Sequence, residues 1–167
     1  MKNFLILISF LFSLITNGQT QFGVPKSLLL NNNLSDQKTG DIDNDGDPDI
    51  VAIGNDELIW FENLEGKGTF SRTIFIADAV DERNLTLSDV DLNGFLDIIF
   101  VTNNGIYLCL NNSGNFESPV ELYAASGYMD VITTDFDNDG DPDLIFRTNS
   151  YMRTLENLSG GSFGNFG

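Results

Sequence analysis

The chain declares its architecture at Asp41-Ile42-Asp43-Asn44-Asp45-Gly46-Asp47-Pro48-Asp49, which runs directly into the apolar stretch Ile50-Val51-Ala52-Ile53. Five carboxylates in nine residues repel one another strongly unless a cation sits among them. Side-chain oxygens at positions 1, 3 and 5 of a tight loop can converge on one point, and glycine at position 6 permits the sharp turn with positive φ. Position 7 then offers its backbone carbonyl, and the Asp at position 9 closes the set. Calcium, a hard cation taking six to eight oxygens at about 2.3–2.6 Å, suits such a loop. An EF-hand shares positions 1 to 6 but needs a bidentate Glu at position 12 between helices. Position 12 here is Ala52, inside a strand-like run.

The pattern occurs three times. Working outward, Asp89, Asp91, Asn93, Gly94, Phe95 and Asp97 hold positions 1, 3, 5, 6, 7 and 9 of a second loop, and Asp135, Asp137, Asp139, Gly140, Asp141 and Asp143 hold those of a third. Phe95 at position 7 agrees with a carbonyl ligand, because no particular side chain is then required there. The ligand set expected from the sequence is therefore Asp41, Asp43, Asp45, Asp47 and Asp49; Asp89, Asp91, Asn93, Phe95 and Asp97; and Asp135, Asp137, Asp139, Asp141 and Asp143. The second loop is the least acidic and should bind most weakly.

The segments after each loop also recur, at spacings of 48 and 46 residues. An apolar run comes first (Ile50–Ile53, Ile98–Val101, Leu144–Phe146), then a polar break, then a second run (Leu58–Asn63, Ile106–Asn111, Met152–Asn157), then a Gly-rich turn ending in Phe70, Phe116 or Phe163. Runs of four to six β-branched and aromatic residues bounded by Gly, Asn, Asp and Ser are strands. Two more strands complete a unit: Arg72–Ala77 or Pro119–Ala124, then Asn84–Ser88 or Met129–Thr133 leading into the next acidic loop. Four short strands per repeat predict an all-β chain of about three propeller-like blades. On these boundaries the fourth strand of each unit precedes the next loop. The chain then begins and ends inside a unit, with residues 22–30 as a third strand, as a partial or truncated propeller or an open stack prone to self-association through its edges.

These motifs resemble FG-GAP/VCBS repeats, the calcium-binding blades of integrin α-subunit propellers and of many secreted bacterial proteins. The resemblance covers residues 22–167. It implies a propeller fold, with up to three calcium ions in loops joining one blade's last strand to the next blade's first. It does not name a ligand.

The N-terminus reads as a secretory signal. Met1-Lys2-Asn3 is followed by an apolar run from Phe4 to Ile15, and Thr16-Asn17-Gly18 places small residues before a cut. Residues 1–18 are expected to be removed, leaving 19–167 as one repeat domain with no membrane span, secreted, periplasmic or on the cell surface. Cys109 is the single cysteine, so no internal disulfide can form, and it reads as a small buried hydrophobe. Calcium would then staple the fold. At about tenfold above its dissociation constant each ion contributes about 1.4 kcal/mol, and three about 4 kcal/mol.

Composition narrows function. Eight Lys and Arg against 25 Asp and Glu leave a net charge of −17, which excludes a basic footprint for nucleic acid or anionic membranes. Disorder is a poor fit, because 41% of residues are hydrophobic and 14 are Phe. Without His, Ser-His-Asp triads and His-ligated zinc are excluded. Paired carboxylates could still hydrolyse glycosides, but the candidates lie in metal loops, where calcium opposes the raised pKa an acid catalyst needs. The expected function is a non-enzymatic module that binds an extracellular protein or glycan; the alternatives are a spacer or assembly piece of a larger repeat array and a component of a carbohydrate-active enzyme. Tyr107, Tyr123, Tyr128 and Tyr151 could stack on sugars but read first as strand packing. Asn33, Asn84, Asn111 and Asn157 begin Asn-x-Ser/Thr sequences that would matter only in a glycosylating host.

Overall fold

A computed structural model describes residues 27–28, 33–54, 56–77, 84–124, 126–127 and 130–165. The proposed signal and most of residues 22–30 lie outside them. The described residues form three four-stranded antiparallel sheets and one small hairpin. The first sheet joins β1 (Asp36–Gly40), β2 (Asp49–Gly54), β3 (Glu57–Leu64) and β4 (Thr69–Ala77) in that order. The second contains β5 (Asn84–Ser88), β6 (Asp97–Val101) and β7 (Gly105–Cys109); after the hairpin β8 (Asn111–Asn112) and β9 (Asn115–Phe116), it is completed by β10 (Val120–Ala124). The third joins β11 (Asp130–Thr134), β12 (Asp143–Arg147), β13 (Met152–Asn157) and β14 (Phe163–Asn165). The propeller-like, all-β architecture expected from the repeat is present.

The unit boundaries differ from the expected ones by one strand. Each acidic loop joins the first and second strands of one sheet (β1 to β2, β5 to β6, β11 to β12), not the last strand of one blade to the first of the next. The strands over Asn84–Ser88 and Asp130–Thr134 therefore open a sheet instead of closing the preceding one, and the described strands make three whole sheets rather than fragments at either end. The reason is local: a tight loop between antiparallel neighbours lets the strands on either side pair at once. Thus Gly40 opposes Asp49, Ser88 opposes Asp97, and Thr134 opposes Asp143.

Stacking of the sheets explains why the strands are apolar runs rather than alternating ones. The middle sheet is covered on both faces. Ile98, Phe100 and Cys109 join Ile42, Val51, Ile53, Leu58 and Trp60 in the layer shared with the first sheet. Ile99, Val101, Ile106 and Leu108 join Val131, Leu144, Phe146 and Leu155 in the layer shared with the third. Successive residues of β6 thus face opposite neighbours, and all five are buried. Cys109 is buried as expected, and burial together with the nearby Asp97 carboxylate pushes its thiol pKa up to about 12. The first strands pack side by side, β1 against β5 and β5 against β11. Backbone donors cross between them: Leu85 N–H to Asp36 Oδ2 at 3.1 Å and Val131 N–H to Asn84 Oδ1 at 3.2 Å.

Candidate metal centres in three acidic loops

Each loop has the same internal wiring. The carboxylate at position 1 accepts the N–H of the position-6 glycine: Asp41 from Gly46 at 2.9 Å, Asp89 from Gly94 at 2.9 Å and Asp135 from Gly140 at 3.1 Å. Position 3 accepts the N–H of position 5, and position 5 that of position 7. These bonds curl the loop and turn its oxygens together. Gly46, Gly94 and Gly140 have φ of 95°, 92° and 102°, as position 6 requires. Position 4 is also left-handed, with φ of 61° at Asn44, 58° at Leu92 and 65° at Asn138. Asn tolerates this conformation; Leu92 does not do so readily.

The result is three groups of carboxylates whose ligand atoms lie within 4.8 Å of one another: Asp41, Asp43 and Asp45; Asp89, Asp91 and Asp97; Asp135, Asp137 and Asp143. These clusters could hold metal ions. Asp41 Oδ1 is buried and has no hydrogen-bond donor among the described residues, in a group of carboxylates. Hard oxygen donors with one orphaned lone-pair site fit a hard divalent cation. Crowding shows in the titration of the groups. Asp43 is raised above the ordinary carboxylate value by burial and then by Asp45, Asp49 and Asp41. Asp137 is raised by desolvation and by Asp139, Asp143 and Asp135. Asp97 is pushed up to about 6 by burial and by Asp91 and Asp89, against backbone hydrogen bonds that lower it.

Position 9 has a second task that its sequence does not announce. Asp49, Asp97 and Asp143 are almost fully buried, and both oxygens of each accept backbone N–H groups. One comes from position 2 (Ile42 at 3.2 Å, Val90 at 2.9 Å, Phe136 at 2.8 Å) and one from an Asn fourteen residues on (Asn63 at 2.8 Å, Asn111 at 2.8 Å, Asn157 at 2.9 Å). The acid therefore ties its loop to the third strand of the first and third sheets, and in the second to the first residue of β8. The Asn side chains extend the tie. Asn111 Nδ2 donates to Leu96 O at 3.0 Å and across sheets to Ile42 O at 2.8 Å; Asn157 Nδ2 donates to Pro142 O at 3.2 Å and to Val90 O at 2.8 Å. Recurrence of these Asn at the repeat spacing was the available signal. Burial of Asn111 and Asn157 also closes both to glycosylation in the folded chain.

Other expected ligands make contacts of their own. Asp47 lies against the β3–β4 turn, since a Cβ on Gly66 would clash with Asp47 Oδ1. Asn93 donates through Nδ2 to Asn111 O at 2.8 Å and presents Oδ1 to Phe95 N–H at 2.8 Å. Asp139 accepts from Asp141 N–H at 2.9 Å. Glu62, absent from the expected set, is raised in pKa by burial and then by Asp43, Asp49 and Asp45, so it feels the charge of the first loop. Among the tyrosines, Tyr107 stacks on Phe100 at 5.4 Å and Tyr123 packs on Phe146 at 4.8 Å, the strand-packing role expected of them. Tyr151 is 43% exposed with the Arg153 guanidinium 4.4 Å above its ring, and Tyr128 lies outside the described residues.

Comparison with known proteins agrees with this geometry. Residues 41–100 and 89–146 each match the FG-GAP-like repeat, and together they span most of the chain and all three acidic loops. The chain belongs to the FG-GAP-like repeat family. Among solved structures, the FG-GAP-like chain is similar to a lectin of Agrocybe aegerita described for its specific recognition of non-reducing terminal N-acetylglucosamine. The TM-score is 0.57 at 23% identity over 77% of this chain and 36% of the lectin, so the FG-GAP-like chain spans about a third of that protein's length and shares its fold. No curated protein matches the chain. Among the described residues no helix is long and apolar enough to cross a membrane.

Proposed function

We propose that this FG-GAP-like chain is an exported binding module in which calcium, one ion per acidic loop, is structural. The observation that carries the calcium reading is the threefold convergence of carboxylates within 4.8 Å, with Asp41 Oδ1 buried in the first group and without a hydrogen-bond donor among the described residues. All the donors are oxygens, the preference of a hard cation. The expected ligands are the fifteen residues named from the sequence, with Asp47, Phe95 and Asp141 serving through backbone carbonyls. Each ion would neutralise a loop whose acids otherwise resist ionisation, as the raised Asp43, Asp97 and Asp137 indicate. Export rests on the signal-like residues 1–18.

The module is read as non-catalytic, and its ligand as an extracellular glycan or protein. A glycan is the first to test, because a lectin shares the fold. Calcium is tested by thermal melting with about 1 mM calcium and with chelator. The midpoint should rise by several degrees with calcium, since about 4 kcal/mol is a large part of a small domain's stability. Equal midpoints would refute the structural role. Ligand class is tested on a glycan array with calcium present; retention without turnover supports the module, and hydrolysis of an arrayed sugar contradicts it.

A second reading, an assembly piece of a larger repeat array, is favoured by one observation. The third sheet leaves Ile132, Phe136 and Met152 exposed at 56%, 58% and 71%.

A further inference from the structure

The acidic loops are joined to one another, and the joints fall on residues that lie between their expected ligands. Ile42 and Asn44 alternate with Asp41, Asp43 and Asp45 in the first loop. Each carries a bond into the second sheet. Ile42 gives its N–H to Asp49 Oδ2 of its own loop at 3.2 Å, while its carbonyl accepts from Asn111 Nδ2 at 2.8 Å. Asn44 donates through Nδ2 to Gly94 O at 2.7 Å, directly from one loop to the next.

The far ends of those bonds hold the frame of the second loop. Gly94 is fixed at both backbone groups, its N–H on Asp89 Oδ2 at 2.9 Å and its carbonyl by Asn44. With φ of 92° it is also the residue where the loop turns most sharply, in a conformation that glycine alone adopts freely. Asn111 grips the same loop at three positions. Its N–H donates to Asp97 Oδ1 at 2.8 Å, its side-chain amide to Leu96 O at 3.0 Å, and its carbonyl accepts from Asn93 Nδ2 at 2.8 Å. The β8–β9 hairpin then returns to the first loop, because a Cβ on Gly114 would touch both the Trp60 ring and Asp43 Cβ.

The second and third loops repeat one joint and lack the other. Asn157 Nδ2 reaches Val90 O at 2.8 Å, as Asn111 reaches Ile42 O. Position 4 of the second loop is Leu92, whose side chain has no donor to offer Gly140 O.

We propose that the first two metal centres are coupled, with Asn44 and Asn111 as the positioning residues through which order in the first loop favours binding in the second. The coupling rests on the calcium reading given above. Carboxylates converged on a cation hold Ile42 and Asn44 still between them. Those residues hold Asn111 and Gly94, so the second loop has less freedom left to lose when its own oxygens converge. The effect is reciprocal. It acts where it is most needed, since Asn93 and Phe95 leave the second loop the least acidic of the three. Electrostatics oppose it: filling one loop removes negative charge that draws a cation to the other. Salt near 0.15 M screens that attraction beyond roughly 8 Å.

Calcium titration of the isotopically labelled full chain in about 0.15 M salt, followed by proton–nitrogen correlation spectra, reads the loops one at a time. The amides of Gly46, Gly94 and Gly140 each donate to the position-1 carboxylate of their own loop, so each reports its own centre. Asp43→Ala disables the first centre, which the Gly46 amide verifies; Asp45→Ala replaces it if circular dichroism shows a loss of fold. The calcium needed to half-fill the second loop should rise roughly fivefold, the size of one or two hydrogen bonds. Asn44→Gly cuts the direct joint at an exposed position and suits the left-handed backbone at φ 61°. In that background Asp43→Ala should raise the requirement only about twofold, the Asn111 joint remaining. Asn44→Gly changes no charge, so the difference between the two backgrounds excludes the charge lost with Asp43. Gly140, one joint further along, should move less than Gly94. A Gly94 transition indifferent to Asp43→Ala overturns the coupling, and so does a shift that Asn44→Gly leaves unaltered. Equal shifts at Gly94 and Gly140 also overturn it, because they would report folding of the whole chain. A chain in which none of the three amides responds to calcium refutes the calcium reading itself, and the coupling with it.

Discussion

Replacing Asn111 by Ala isolates the bond that joins one sheet to the loop of the next. Asn111 is 1% exposed. Its side chain donates to Ile42 O and Leu96 O and accepts from Gly114 N–H at 2.9 Å. Truncation leaves three backbone groups short of a partner, Ile42 O in the buried interior and Leu96 O and Gly114 N–H in part-buried positions. At about 1–3 kcal/mol for each unsatisfied buried group, softened by the second lone pair on each carbonyl, the loss is about 3–5 kcal/mol. Asn63 is the control. It occupies the same place in the first sheet, donates to Pro48 O at 3.2 Å and accepts from Gly68 N–H at 2.9 Å, with no cross-sheet bond among the described residues. Asn63→Ala should cost about 1–2 kcal/mol less than Asn111→Ala. Urea denaturation in saturating calcium, at a concentration low enough to keep the chain monomeric, measures both. Losses equal within about 0.5 kcal/mol, or a larger loss for Asn63→Ala, would refute the idea that this cross-sheet bond holds the stack together.

Leu92 sits at φ 58° and is 56% exposed, so Leu92→Asn relieves a left-handed strain without removing packing and should stabilise the chain by about 1 kcal/mol in the same urea assay; an unchanged or lower stability contradicts the strain. Cys109 should resist alkylation at pH 8 in the folded chain and react on unfolding, because its thiol pKa is pushed up to about 12. The raised value sets the direction of its pH dependence. The folded state holds the proton longer than the unfolded state, so stability falls as pH rises from about 8.5, the unfolded value, towards about 12; Cys109→Ser should flatten that alkaline decline, and an unaltered decline counts against it. Glu62→Gln removes a charge that Asp43, Asp45 and Asp49 feel, so it should raise the metal-free melting midpoint and weaken calcium binding at the first loop by a few-fold; no change in either quantity removes Glu62 from the site.

Much of this fold is legible in the sequence because the repeat is dense with local signals. Gly46, Gly94 and Gly140 mark the turns, the acids mark the loops, and apolar runs such as Ile98–Val101 mark strands covered on both faces. Sheet membership was not legible. Asn84–Ser88 reads equally well as the last strand of one unit or the first of the next, and only pairing of Ser88 with Asp97 decides it. The double role of position 9 was hidden for a related reason. An Asp in an acidic loop reads as a ligand, whereas its bonds to Val90 and Asn111 span seven and fourteen residues and need the folded hairpin. Asn63, Asn111 and Asn157 recurred in plain view, but as strand ends and glycosylation sequences, because nothing local says that the amides of Asn111 and Asn157 reach a neighbouring sheet. Strain at Leu92 was likewise invisible, since position 4 is Asn in the other two loops and its handedness carries no sequence mark of its own.

The number of calcium ions held per chain is the decisive quantity. Equilibrium dialysis at about 1 mM free calcium should return up to three ions, with the Asp89–Asp97 loop filling last and Asp41→Ala removing one ion. A chain that retains none at that concentration would leave the three carboxylate groups without their counter-charge and contradict the structural role given to calcium.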